Sequence, residues 1–174
     1  MRGDSLVEAR GRGASFESFM QSHSKRLVQA LTMISLDGEA AADAAQEAFI
    51  ALYLRWDGAD RPRDPAAWLY RVGINRCKDH RRFVTRTARA VERLGSWASG
   101  APDGEGGALV TWAPGGDFAT ALRSLPAGQR TAATLYYLID LSTTDIAAIM
   151  RVSEGTVNSH LHRAREALKK LVEA

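Results

Sequence analysis

The sequence predicts an all-α protein made of two small helical units. Apolar residues recur at helical spacing along two stretches, and no segment alternates apolar and polar residues as a half-buried strand would. A Gly/Pro-rich stretch separates the two. Aromatics supply only 7% of the 174 residues, too few for a large sandwich or barrel core.

Residues 1–14 are small and polar and are expected to be a disordered tail. From Phe16 to Leu36 the apolar positions Phe16, Phe19, Met20, Leu27, Leu31 and Ile34 predict a first helix. Asp37-Gly38 signals a turn. A second helix is expected from about Glu39 to Trp56, with Phe49, Leu52, Tyr53 and Trp56 on one side. Gly58, Pro62 and Pro65 mark a loop, and Pro65 suits the first turn of a third helix carrying Trp68, Leu69 and Val72 inward. These helices make a first unit over 15–94.

Residues 95–117 hold seven glycines and two prolines and are expected to be a flexible linker, with Leu109, Val110 and Trp112 as docking residues. The second unit, 118–174, opens with a helix through Phe118, Leu122 and Leu125 that Pro126 and Gly128 stop. A further helix is expected over Thr131 to Ile139. Ser142 to Asp145 has capping-box spacing and opens the next, over Thr143 to about Met150. After a tight turn at Arg151-Val152, Ser153 caps a final helix burying Val157, Leu161, Ala164, Leu168 and Leu171.

Several function classes fall away. The longest uncharged run, Gly106 to Gly116, has 11 residues broken by Pro and Gly, against roughly 20 apolar residues for a bilayer-spanning helix. No apolar signal segment opens the chain, so a cytoplasmic protein without membrane insertion is expected. His160 and His162 lie two apart on a helix and cannot share a metal. The single Cys77 has no base partner, although its basic stretch would lower its pKa. No catalytic residue, metal or cofactor is expected.

The net charge of +3 hides an asymmetry. Six acids against one base lie between Asp37 and Asp60, and eight bases against two acids between Tyr70 and Arg93. A basic block of that density points to a polyanion.

Leu141 to Lys170 has the form of a helix-turn-helix: short helix, turn, longer helix with a polar outer face. Gly155, Ser159, His162 and Arg163 point outward, with Thr156 and Asn158 on the flanks. Gly155 lets the helix N-terminus approach a phosphate. Thr156 and Ser159 can donate to phosphates or bases, and Asn158, His162 and Arg163 can reach base edges in a major groove.

Leu122 to Arg130, Asp145-Ile146-Ala147 and Glu154 to Arg165 resemble region 4 of bacterial RNA polymerase sigma factors, more closely those of the extracytoplasmic-function (ECF) class. Asp43 to Phe49 resembles the region 2.2 signature. Ala67 to Asn75, with Asp79 and Arg81-Arg82 following, resembles regions 2.3 and 2.4. The sequence departs from the family at Ala42, where an acid is usual, and at His160, where Arg is common.

The resemblance implies a sigma factor that binds core RNA polymerase and directs initiation at promoters. Asp43, Gln46, Glu47, Phe49 and Ile50 would contact the coiled coil of the polymerase β′ subunit. Arg71, Asn75, Arg76, Lys78, His80, Arg81 and Arg82 would engage the −10 element, where unpaired bases can be captured while cations hold phosphates. Gly155, Thr156, Asn158, Ser159, His162 and Arg163 would read the −35 element. Many relatives are held inactive by an anti-sigma factor, a further possible partner. The alternative, a stand-alone dimeric helix-turn-helix regulator, accounts for residues 118–174 and leaves the first unit without a role.

Overall fold

Seven α-helices follow one another, and no strand occurs among the described residues. The computed structural model describes the backbone of residues 4–94 and 117–172, and the side chains of 15–87 and 119–170. The expected linker, with Leu109, Val110 and Trp112, lies outside the described residues apart from Asp117.

Helix α1 spans Asp4–Ser35. The expected tail is therefore helical from Asp4 onward. Leu6, Glu8, Ala9 and Arg10 are good helix formers, and the cost of Gly11 and Gly13, about 1 kcal/mol each, does not stop them. The chain leaves α1 through Leu36, a left-handed residue with φ 62°. Asp37 then caps α2 (Gly38–Tyr53), its Oδ1 accepting from Ala40 N at 3.0 Å. The buried side of α2 is mostly alanine (40, 41, 44, 45 and 48), with Phe49 and Leu52, so α1 and α3 come close. Tyr53, expected on the same side as Phe49, Leu52 and Trp56, is exposed while those three are buried.

Trp56 anchors the connection to α3. It is buried against Phe16 and Phe19, and the Arg61 guanidinium lies 4.2 Å over its ring. Helix α3 (Pro65–Leu94) starts as Pro at the first turn predicts, with Asp64 Oδ1 accepting from Ala67 N at 2.9 Å. Gly73 of α3 meets Leu31 of α1 so closely that a Cβ there would lie 2.8 Å from Leu31 Cδ1.

The second unit comprises α4 (Asp117–Ser124), α5 (Ala127–Ala133), α6 (Thr143–Met150) and α7 (Glu154–Val172). Pro126 ends α4 but also occupies the N-cap of α5, so helix resumes four residues earlier than expected. The segment Thr134–Leu138 widens into a π-helical turn instead of finishing a regular helix. Ser142 caps α6 as expected, its Oγ accepting from Asp145 N at 3.1 Å, but the return bond of a capping box is replaced by one between side chains, Ser142 Oγ donating to Asp145 Oδ2 at 2.5 Å. Arg151, left-handed at φ 57°, makes the turn into α7.

The apolar interior is shared. Leu27, Leu31, Leu52, Leu69 and Ile74 of the first unit form one cluster with Leu135, Ile139, Ile146, Ile149, Val157 and Leu161 of the second. Two separated bodies were expected, but here they are packed face to face.

Candidate nucleic-acid and protein interfaces

The outer face of α2 carries Asp43, Gln46, Glu47 and Ile50, all exposed. Phe49 does not join them. It is buried edge-on against Phe16 at 6.5 Å, because its position falls on the alanine side of the helix. It does help line a groove of about 500 Å³ between α1 and α2, with Met20, Ile50 and Tyr53. Tyr53 and Leu54, which sequence reasoning did not assign to this surface, are 57% and 75% exposed. Their presence among acidic residues makes an apolar strip with a negative border.

The −10 candidates on α3 separate into groups. At about 100° per residue, Arg71, Asn75, Lys78 and Arg82 fall within an arc of roughly 60°. Arg76 turns away toward α2, its Nε 3.1 Å from Glu47 Oε2. Lys78, His80 and Arg81 border a cleft of about 570 Å³ between the two units, opposite Arg130. Arg82 Nη1 lies 3.8 Å from Asp79 Oδ1, so Asp79 sits beside a cation. Trp68 is half-buried against the core, with the Arg55 guanidinium 5.6 Å from its ring centroid. Arg63, Asp64, Trp68 and Arg71 line a smaller pocket of about 280 Å³ at the start of α3.

On α7, Gly155, Asn158, Ser159, His162 and Arg163 are exposed and Thr156 is half-buried, while Val157, Leu161 and Ala164 are buried. Ser153 Oγ accepts from Thr156 N at 3.1 Å and lies 2.9 Å from Thr156 Oγ1, so the Thr156 hydroxyl is engaged in the cap. Arg165 Nε donates to Tyr137 Oη at 2.9 Å, tying α7 to the π-helical turn. His160 packs its ring over Gly128, where a Cβ would lie 2.9 Å from Cε1.

Burial pushes the Cys77 thiol up to about 11, against the lowering expected from its basic neighbours. Tyr70 is likewise raised by burial, partly offset by Arg26. Among the described residues no helix is long and apolar enough to cross a membrane.

Comparison with known proteins follows the same division. Residues 19–87 match the family described as Sigma-70 region 2, and residues 116–168 the family described as Sigma-70, region 4. The ECF RNA polymerase sigma factor SigW of Bacillus subtilis (strain 168) is 33% identical over 138 residues, covering 75% of this chain and 74% of SigW. The RNA polymerase sigma-H factor of Pseudomonas aeruginosa is 31% identical over 180 residues, covering 97% and 92%. The sigma factor RpoE, solved in complex with the anti-sigma factor NepR from Bartonella quintana, has the same fold. It gives a TM-score of 0.68 at 24% identity, covering 91% of this chain and 98% of that one. CnrH, solved in complex with the cytosolic domain of CnrY, gives 0.62 at 23% identity, covering 97% and 96%. The region 2 match accounts for the first unit, which a stand-alone helix-turn-helix regulator leaves unexplained. The chain belongs to the ECF class of RNA polymerase sigma factors, which recognise promoters for core polymerase.

Proposed function

We infer that the three surfaces divide the work of a sigma factor. Residues 15–94 act as region 2 and residues 118–174 as region 4, joined by a linker over 95–117. The strip of Asp43, Gln46, Glu47 and Ile50, floored by Phe49 and extended by Tyr53, docks on the β′ coiled coil of core polymerase. Its acidic border favours encounter with a basic partner, and its apolar middle supplies area to bury. Arg71, Asn75, Lys78 and Arg82 engage the −10 element as one face, with Arg76, His80 and Arg81 at its margins. Gly155, Thr156, Asn158, Ser159, His162 and Arg163 engage the −35 element in the major groove. The protein works in the cytoplasm and positions polymerase without catalysing a reaction itself.

An anti-sigma factor is a further proposed partner. The solved structures it resembles are complexes with NepR and with CnrY, and an apolar groove open to solvent is a surface such a protein would cover.

The observation that carries this reading is the outward polar face of α7 on one unit together with the clustered cations of α3 on the other. Run-off transcription with purified core polymerase on genomic fragments tests it. Discrete products that require the chain are expected. Tight binding of duplex operators by a symmetric dimer, with no dependence on polymerase, overturns it.

A further inference from the structure

Three elements enclose the cleft of about 570 Å³. The end of α1 and the turn into α2 form one side, α3 from Ile74 to Thr85 another, and the α4–α5 junction from Leu125 to Thr131 the third. Its size falls within the roughly 300–1,000 Å³ common for small-ligand sites. The inner surface is apolar. Ile34, Ile74 and Leu125 are buried there, and Val84 stands at the mouth, 50% exposed.

The charges around the cleft do not balance. Lys78, Arg81 and Arg130 supply three cations, whereas Asp37 is the one acid among the described lining residues. That acid is already engaged, its Oδ1 accepting from Ala40 N at 3.0 Å at the start of α2. Arg130 is 5% exposed, and carbonyls alone hold its guanidinium. Its Nε and Nη2 donate to Ile34 O at 3.2 and 3.1 Å, and its Nη1 to Leu125 O at 2.7 Å. These carbonyls satisfy the donors and leave the charge unneutralised. Burial, and then the charge of Arg81, push the Arg130 guanidinium below the usual arginine range. Neither Lys78 nor Arg81 has an ion pair among the described residues. An anion in the cleft is the partner this arrangement lacks.

The two halves of the lining define the two halves of a ligand. A carboxylate or phosphate head pairs with Lys78 and Arg81 at the rim, through charge-assisted hydrogen bonds. An apolar body covers Ile34, Ile74, Leu125 and Val84. An inorganic anion leaves that apolar surface wet, and a neutral apolar molecule leaves the cations unpaired.

We propose that this cleft binds a small amphipathic anion, one carboxylate or phosphate head on an apolar body, and that the head takes Lys78 away from promoter DNA. The second half rests on the reading of Lys78 as part of the −10 face given above. Lys78 stands at the edge of that arc and also lines the cleft, so one cation serves two anions in turn.

The test uses the full chain, with decanoate and octyl phosphate as probes below their micelle concentrations. Calorimetric titration should show saturable binding of at least one of them, at one molecule per chain. Octyltrimethylammonium has an apolar tail and the opposite charge, and inorganic phosphate has a head and no tail. Both should bind at least about tenfold more weakly. Arg81→Glu reverses a rim charge, and Val84→Glu gives the mouth a carboxylate of its own; both positions are exposed. Each variant should weaken probe binding by at least about tenfold and keep the helical circular dichroism of the wild type. No saturable binding, or equal affinity for wild type and both variants, overturns the site. Equal binding of inorganic phosphate or of the cationic amphiphile overturns the ligand class. In run-off transcription the bound probe should inhibit the wild type at concentrations near its Kd and spare Val84→Glu, a residue outside the proposed DNA surface. Binding without inhibition overturns the competition. Failure of the −10 reading shows separately, as a Lys78→Ala chain that opens promoters like wild type with no probe present.

Discussion

Arg76 Nε lies 3.1 Å from Glu47 Oε2, joining α3, the helix proposed to engage the −10 element, to α2, the helix proposed to meet polymerase. Both side chains are about half exposed, so the pair is worth under about 1 kcal/mol in stability. It has a functional consequence all the same, since each charge sets the orientation of the other. Glu47→Gln is expected to weaken core binding and also alter promoter opening, and Arg76→Ala to do both in turn. A double-mutant cycle on transcription should show the two effects to be non-additive. Strict additivity means that the two residues act separately.

The division of α3 into faces gives a second expectation. Arg71→Ala and Arg82→Ala each remove one cation from the shared arc with Asn75 and Lys78. Each should lower the slope of log affinity against log salt by about 0.7 on single-stranded promoter DNA. His80→Ala, at the margin of that face, should change the slope less than either. Salt titrations of the polymerase complex measure all three, and a uniform loss across the variants would abolish the distinction between faces.

On α7, Ser159 and Arg163 are exposed while Thr156 is held in the cap. Ser159→Ala and Arg163→Ala should shift −35 base preference by about 1–3 kcal/mol per lost base contact, with core affinity unchanged. Selection from a randomised −35 library reads this directly. Thr156→Ala should instead cost cap stability, since its hydroxyl lies against Ser153 Oγ at 2.9 Å. An unaltered base preference in both first variants removes them from the reading set.

Local rules made much of this legible. The cap at Ser142, the turn at Arg151 and the inward Val157–Leu161–Ala164 stripe each depend on residues a few positions apart, and all are present. Long-range choices were not legible. Met33 lies on an ordinary apolar helix, and nothing near it in sequence says that it packs in the other unit. Arg130 lies in a motif, but its acceptor Ile34 is 96 residues away. Phe49 fell inward because an alanine-rich helix has one deep side, which periodicity alone locates only to within a residue.

Gly73 is the clearest case of packing overriding propensity. In an exposed helix, glycine to alanine gains about 1 kcal/mol. Here the new Cβ would lie 2.8 Å from Cδ1 of Leu31, whose side chain is fully buried and has to shift to make room. Gly73→Ala is therefore expected to destabilise the fold by about 1–3 kcal/mol, lowering Tm by several degrees for a chain of this size. Calorimetry showing a higher Tm would mean that α1 and α3 can move apart at no cost.

Cys77 gives the pH prediction. Burial is the largest effect on its thiol, lifting it from 9.0 to about 11, with a hydrogen bond to Ser35 lowering it and Asp37 raising it. The folded chain thus keeps its proton where the unfolded chain has released it. The resulting stability is fully present below about pH 9 and is lost as pH rises toward about 11. Urea midpoints should fall across that window in the wild type and fall less in Cys77→Ala. The same burial should make iodoacetamide labelling of the native thiol at pH 8 slower than in urea by on the order of a hundredfold. Labelling at equal rates would show that the thiol is open to solvent, and the alkaline loss would then have to come from another group.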